Sequence, residues 1–353
     1  MICKPLLAVC VVAASLGLPV TTATQLTHVA NGQGVPTNDE PFPSPDGREL
    51  VIESNRTGKQ QLYAISTAGM LLRRITTDAG SDDSPSWSHD GARIAYISIR
   101  HGRSGMYAID TMGRHERMLA SDGLDYLHPM WSIDDRWIMY DVNSAREPSI
   151  YELWAMRTDG SGRHQITHIH ASETTYGSWS PDGKEIVFRR KFPPYRSQVY
   201  VAESDGTKQR DLAMSNSYDG WPSWSPDGKH IVFSSNRLER DPRSHDSEIF
   251  VMASDGSGLR LVARAGGRNT EPRFSPDGRT VYFSHCTRAG CQVYSAAIDL
   301  TAPPGAAVLG TAARSEAERT TDGRIASAAS YREARMRPQA RPSHAPCRRA
   351  RCR

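Results

Sequence analysis

Short runs of alternating apolar and polar residues fill this chain before residue 300, and the spacing of an amphipathic helix is nearly absent there. Alternation with a period of two predicts half-buried β-strands. The stretch Pro222–Ala263 shows the unit. Pro222–Ser225 reads as a short strand. Pro226-Asp227-Gly228 turns the chain, because Pro presets φ and Asp and Gly supply turn chemistry. Lys229–Ser234 alternates, a polar loop covers Ser235–Ser247, and Glu248–Ala253 is a third strand. Asp255-Gly256-Ser257-Gly258 turns again into a fourth, Leu259–Ala263.

The unit recurs. Ser44-Pro45-Asp46-Gly47, Ser88-His89-Asp90-Gly91, Ser132-Ile133-Asp134-Asp135, Ser180-Pro181-Asp182-Gly183, Ser225-Pro226-Asp227-Gly228 and Ser275-Pro276-Asp277-Gly278 are six copies of one turn. Their aspartates stand 44, 44, 48, 45 and 50 residues apart. Trp87, Trp131, Trp179, Trp224 and Phe274 precede five of them, and Pro43 the first. Four antiparallel strands in roughly 45 residues make a propeller blade, so the expected fold is an all-β, six-bladed β-propeller over residues 24–300. The sixth unit supplies only three strands, near Glu271–Ser275, Thr280–Ser284 and Gln292–Ile298. Gln25-Leu26-Thr27-His28 resembles Gln165-Ile166-Thr167-His168, the fourth strand of unit three. An N-terminal strand over Gln25–Ala30 is therefore expected to complete the last blade and close the ring, which removes an exposed sheet edge.

Composition refines this picture at the ends. The chain has 353 residues, 38% hydrophobic and 23% charged, which excludes a wholly disordered chain. The net charge of +4 is unevenly placed. Residues 301–353 hold eleven Arg against four acids, or +7, which leaves −3 for residues 1–300. A slightly acidic body argues against a nucleic-acid partner. The Ala/Arg-rich tail has one aromatic, Tyr331; it cannot bury a core, and disorder is expected. At the other end Lys4 precedes an apolar run, Leu6–Val20, and then Thr21, Thr22 and Ala23. That is the pattern of an export signal over residues 1–23. The run is shorter than the roughly 20 residues of a comfortable span. The expectation is a periplasmic or secreted monomer that is not an integral membrane protein; an uncut anchor stays open. Cys286 and Cys291 flank Thr-Arg-Ala-Gly between two strand-like runs. A hairpin would bring them to disulfide distance in an oxidising compartment. A metal pair is the alternative, without a second His/Cys pair nearby.

Pro222–Phe233, Gly177–Phe188, Ser54-Asn55-Arg56-Thr57-Gly58 and Gln198-Val199-Tyr200 bring a family into view. They resemble the TolB-type propeller repeat across about residues 25–300. The resemblance implies a fold more than a function, because this propeller serves in Tol proteins, peptidase accessory domains and some polysaccharide lyases. The residues ahead of the propeller are too few for the α/β domain that TolB carries. No G-x-S-x-G elbow occurs, which excludes the propeller-peptidase type of hydrolase.

Candidate chemistry follows from the strand directions. The Ser-Pro-Asp-Gly turns fall on one face of the disc, and the longer loops, where binding usually resides, on the other. The residue before each first-strand Pro, or before Gly177, is expected at the central channel mouth. Round the ring these are Glu40, Ser84, His128, Tyr176, Trp221 and Glu271. With their neighbours, the candidate binding set is Asp39, Glu40, Asp83, His128, Tyr176, Asp219, Trp221 and Glu271. Carboxylates, one His and two aromatics suit a cation, a sugar or a peptide; solvated loop ends have the same composition. Glu40 and Glu271 come from neighbouring blades and should repel unless a cation sits between them. That would suit a Ca²⁺-type oxygen site, and no other cofactor is implied. His164, His168 and His170 lack a further ligand and read as surface residues. Arg56 and Arg237 should pair with local acids, and no spacing nominates a catalytic triad. The leading reading is a noncatalytic module that binds a protein or an envelope or glycan component through the loop face. The rival is a polysaccharide lyase or hydrolase using the mouth carboxylates, with or without a metal.

Overall fold

The computed structural model describes residues 22–27, 36–77, 80–143, 148–169, 172–213 and 215–301. Most of the expected export signal and nearly all of the expected tail lie outside the described residues. The alternating runs form twenty-four strands in six four-stranded antiparallel sheets, with no helix among the described residues. The first five sheets run in chain order from inner to outer strand. The sixth takes Arg268–Phe274, Thr280–Thr287 and Gly290–Ala297 from the far end and Thr24–Gln25 from the start. Thr24 pairs with Ser295 and Gln25 with Tyr294. The Leu26 N–H then donates to the Val293 carbonyl at 2.8 Å. The ring is closed by strands from both ends; residues 28–30 of the expected strand lie outside the described residues.

Apolar faces of adjacent blades bury against one another. Val51, Leu62, Ala64 and Ile75 of the first blade pack with Trp87, Ile94 and Tyr96 of the second. The Trp before the turn packs its ring into the core, and in two blades its indole N–H also ties neighbouring blades: Trp131 donates to the Ser86 carbonyl at 3.2 Å and Trp224 to the Ser178 carbonyl at 3.3 Å. A residue of the third strand makes a second tie, to the loop leading into the next blade. Gln61 Nε2 donates to the Gly80 carbonyl, Gln198 Nε2 to Ser215 and Gln292 Nε2 to Pro36. Glu152 and Glu248 occupy the same place and accept from the Ile169 and Ala265 N–H groups.

The turns form a ring of their own. In all six the serine hydroxyl donates to the aspartate at 2.5–2.7 Å. The Ser180 hydroxyl and then the Lys184 N–H hold Asp182 down to about 2. Gly47 packs toward Pro276 of the neighbouring turn and Gly91 toward Pro45. Two departures from the repeat compensate each other. His89 stands where Pro is usual and so exposes an N–H. Asp135 stands where Gly is usual, at φ 54°. Its carboxylate accepts from the His89 N–H at 2.7 Å and the Asp90 N–H at 2.8 Å.

This pairing predicts non-additivity. Asp135→Gly and His89→Pro should each be less favourable alone than together, with a coupling of about 1 kcal/mol or more in denaturant melts. Additive effects would mean that the two departures are unrelated.

Glu248 makes a pH prediction. Burial pushes its carboxyl up to about 7, against the Ala265 and Gly266 N–H groups. A carboxyl raised on folding holds its proton more tightly in the fold, so stability falls as pH rises from about 4.5 to about 7. Glu248→Gln should therefore match wild type near pH 5 and exceed it at pH 8 by roughly 1–3 kcal/mol. Equal melts at both pH values would contradict this.

Candidate functional site at the channel mouth

One backbone device, used six times, builds the mouth. Glu40, Ser84, His128, Tyr176, Trp221 and Glu271 have φ between 46° and 59°. The register of each inner strand slips around these residues, for example between Asp39 and Phe42 and between Thr270 and Arg273. Five are followed by Pro, which has no N–H for the ladder and so tolerates a bulge. A side-chain-bearing residue in this region costs of order 1 kcal/mol or more, and such strain concentrates at functional sites. Five of the six, Glu40, Ser84, His128, Tyr176 and Glu271, line one central cavity of about 30 Å³, with Phe42, Met130 and Arg273 also in its wall.

The two sides of the mouth differ. On the acidic side the Ser284 hydroxyl accepts the Glu40 N–H at 3.0 Å and donates to Glu271 Oε2 at 3.3 Å. Glu40 and Glu271 thus meet across the closure seam. Arg273, two residues beyond Glu271, is the group that the sequence reading missed. Burial pulls its guanidinium down to about 10, while Glu271 and Glu40 hold it up. Its guanidinium carbon lies 5.0 Å from the Phe42 ring centre. The two glutamates therefore act through space on a buried cation of the protein's own.

On the aromatic side the His128 and Tyr176 ring centres are 3.9 Å apart, and those of Tyr176 and Trp221 5.4 Å. Arg189, buried behind them, lies 4.8 Å from the Tyr176 ring centre and 5.9 Å from that of Trp221. It donates to Tyr218 Oη and Glu173 Oε1, both at 2.7 Å. Asp141 is wholly buried. It accepts the Tyr176 N–H at 3.1 Å and contacts His128 Nδ1 at 2.6 Å. Burial pushes its carboxyl well above the usual range, opposed by the Tyr176 N–H and Arg189. The aromatic wall is thus held rigidly from behind.

The remaining candidates lie elsewhere. Asp219 is fully buried and taken up by Arg237 at 3.0 Å and the Ser215 hydroxyl at 2.6 Å. Asp39 and Asp83 do not line the cavity. Asp39 stands instead beside Cys286 and Cys291, whose Sγ atoms are bonded to each other. Arg56 donates to Asn38, so only Arg237 has an acid as its partner. His164 and His168 are exposed, and His170 lies outside the described residues. The sequence did carry a signal for Arg273. Aligned with the bulges, its column reads Phe42, Ser86, Met130, Ser178, Ser223 and Arg273, and one charge breaks it.

A cavity of this size admits water or a small ion and falls far short of the roughly 300–1,000 Å³ of small-molecule clefts. A larger ligand must therefore rest on the mouth. There it meets carboxylates on one side and π faces on the other, both of which favour a cationic group.

The profile of the TolB beta propeller domain matches residues 18–193 and 143–335. No curated protein matches the sequence. Among solved structures, a TolB-assigned protein from Agrobacterium tumefaciens is 24% identical, with a TM-score of 0.60 over 74% of this chain and 91% of that one. A gluconolactonase from Xanthomonas campestris is 13% identical, with a TM-score of 0.58 over 81% and 93%. An oligogalacturonate lyase in complex with manganese is 14% identical, with a TM-score of 0.52 over 80% and 99%. Likenesses at these identities establish the fold and leave the chemistry to the site.

Arg273 reverses the stability effect expected from repelling glutamates. Glu40→Gln with Glu271→Gln should lower stability, because the buried guanidinium loses the two negative charges that favour its charged form. Adding Arg273→Met should recover most of the loss. A double Gln variant that melts like wild type would show that Arg273 does not depend on them.

Proposed function

The chain belongs to the TolB β-propeller domain family, and from that premise we propose that it is a noncatalytic binding module. Its loop face takes a segment of a protein or envelope component that presents a cationic side chain to the mouth. One observation carries the reading: Glu40 and Glu271 share with His128 and Tyr176 an opening too small for a larger ligand to enter, and Tyr176 in turn packs on Trp221. A lysine or arginine tip resting there gains a carboxylate on one side and a ring face on the other. The wall is preorganised by Arg189 and Asp141, which reduces the ordering cost of binding.

The same geometry weighs against a lyase. A catalytic base must reach the substrate proton, but the cavity of about 30 Å³ admits no sugar ring and Asp219 is sealed behind Arg237. The apolar run Leu6–Val20 supports export to the periplasm or beyond. No helix among the described residues is long and apolar enough to cross a membrane.

The test is retention of envelope components on the immobilised protein. Tyr176→Ala and Glu271→Gln should each reduce retention at least tenfold, and free lysine-rich peptide should compete. Asp182→Asn, on the opposite face, should leave retention intact. Polyuronate is the counter-probe. Turnover by the wild type that disappears in Glu271→Gln would replace the binding reading with a catalytic one.

A further inference from the structure

The seam between the last and first blades holds a second group of chemically capable side chains. Asp39, Cys286 and Cys291 bring a carboxylate oxygen and two sulfurs within 4.8 Å of one another, and all three residues are buried. Asp39 sits on the inner strand of the first blade, in register with Glu53. Cys286 and Cys291 face each other directly across the hairpin of the sixth. All three positions are set by ladder pairing. The surroundings are close on the cysteine side, where a Cβ on Gly267 would stand 2.8 Å from the Cys286 carbonyl oxygen.

With the sulfurs bonded to each other, this is a disulfide beside an acid. With the bond cut, the same atoms are two thiols and a carboxylate, a donor set that suits Zn²⁺ with water in the fourth tetrahedral position. We propose that reduction turns this disulfide into a divalent-metal site of the Zn²⁺ class, which ties the sixth blade to the first.

The steps balance. A dithiol reductant gives two electrons and two protons and becomes a disulfide; the Cys286–Cys291 bond breaks into two thiols. A divalent ion then displaces both thiol protons and binds two thiolates and one carboxylate. The oxidised bridge joins two strands within the sixth blade, and the bound ion would add a link from them to Asp39 of the first. Asp39 also links the site to the mouth, because its Oδ1 accepts the Glu40 N–H at 3.1 Å. The proposal rests on the seam alone and stands apart from the reading of the mouth.

The experiment uses the full chain with Cys3, Cys10, Cys347 and Cys352 changed to Ser, so that one pair of thiols remains. The protein is reduced, freed of reductant without air, and titrated with Co²⁺. The expected result is one Co²⁺ per chain with a thiolate-to-cobalt charge-transfer band, bleached by Zn²⁺. The band should be absent before reduction and absent in Cys291→Ser. Asp39→Asn should weaken binding at least tenfold. Saturating Zn²⁺ should also raise the melting temperature of the reduced protein, a readout that works even where reduction weakens the fold. A reduced protein that takes up no Co²⁺, or whose melting temperature Zn²⁺ leaves unmoved, overturns the proposal. So does equal binding by the oxidised protein or by Asp39→Asn.

Discussion

A ring of sheets has no natural end, and everything here depends on how the two loose edges meet. Each blade buries its apolar face against the next, so one open seam would expose two faces and an unpaired strand edge. The chain meets this by lending its first strand to its last sheet. Thr24–Gln25 completes the ladder on Gly290–Ala297, and Gln292 then gathers the seam. Its Oε1 accepts from Thr27 and Asn38 while its Nε2 reaches the Pro36 carbonyl. The acidic half of the mouth is a product of that closure. Glu40 belongs to the first blade and Glu271 to the sixth, so the Glu40 N–H and the Glu271 carboxylate share the Ser284 hydroxyl only when the ring is shut. Folding and the candidate site are therefore coupled at one place.

Much of this was legible in the sequence because the signal was repeated. A single Ser-Pro-Asp-Gly is a turn; six at near-constant spacing, each followed by alternating strands, leave few architectures. The closure strand was legible for the same reason, since Gln25-Leu26-Thr27 matches Gln165-Ile166-Thr167 and the last unit was one strand short. Repetition also located the mouth column, because the residue before Pro recurs in phase.

What repetition hides is the identity of partners that occur once. Arg273 feels the charge of glutamates from two blades, about 230 residues apart in sequence, and nothing local marks it except the break in its own column. Asp141 and Arg189 lie one layer behind the mouth, in second strands, where a charge reads as an outward-facing residue. Asp219 failed in the opposite sense. It sits two positions from Trp221, where plain alternation would give both the same face, but the register shift between Gly220 and Ser223 and the left-handed Trp221 break that phase, and Asp219 meets Arg237 instead. A one-dimensional reading assigns residues to loops correctly and their side chains to faces less well.

The places where this chain departs from its own repeat fall into two kinds, and the difference is informative. Where the departure is structural, a neighbour repairs it: His89 and Asp135 deviate together, and the carboxylate of one caps the N–H exposed by the other. At the mouth the six left-handed residues conserve backbone geometry while their side chains differ in every blade but two. Six strained bulges with a shared conformation and divergent side chains separate the two roles cleanly. The backbone supplies a fixed ring of positions, and the side chains at those positions are free to become a recognition surface. The resulting surface is asymmetric, with acids over the seam and the packed rings of His128, Tyr176 and Trp221 elsewhere on the ring, because only the backbone conformation at these positions is repeated.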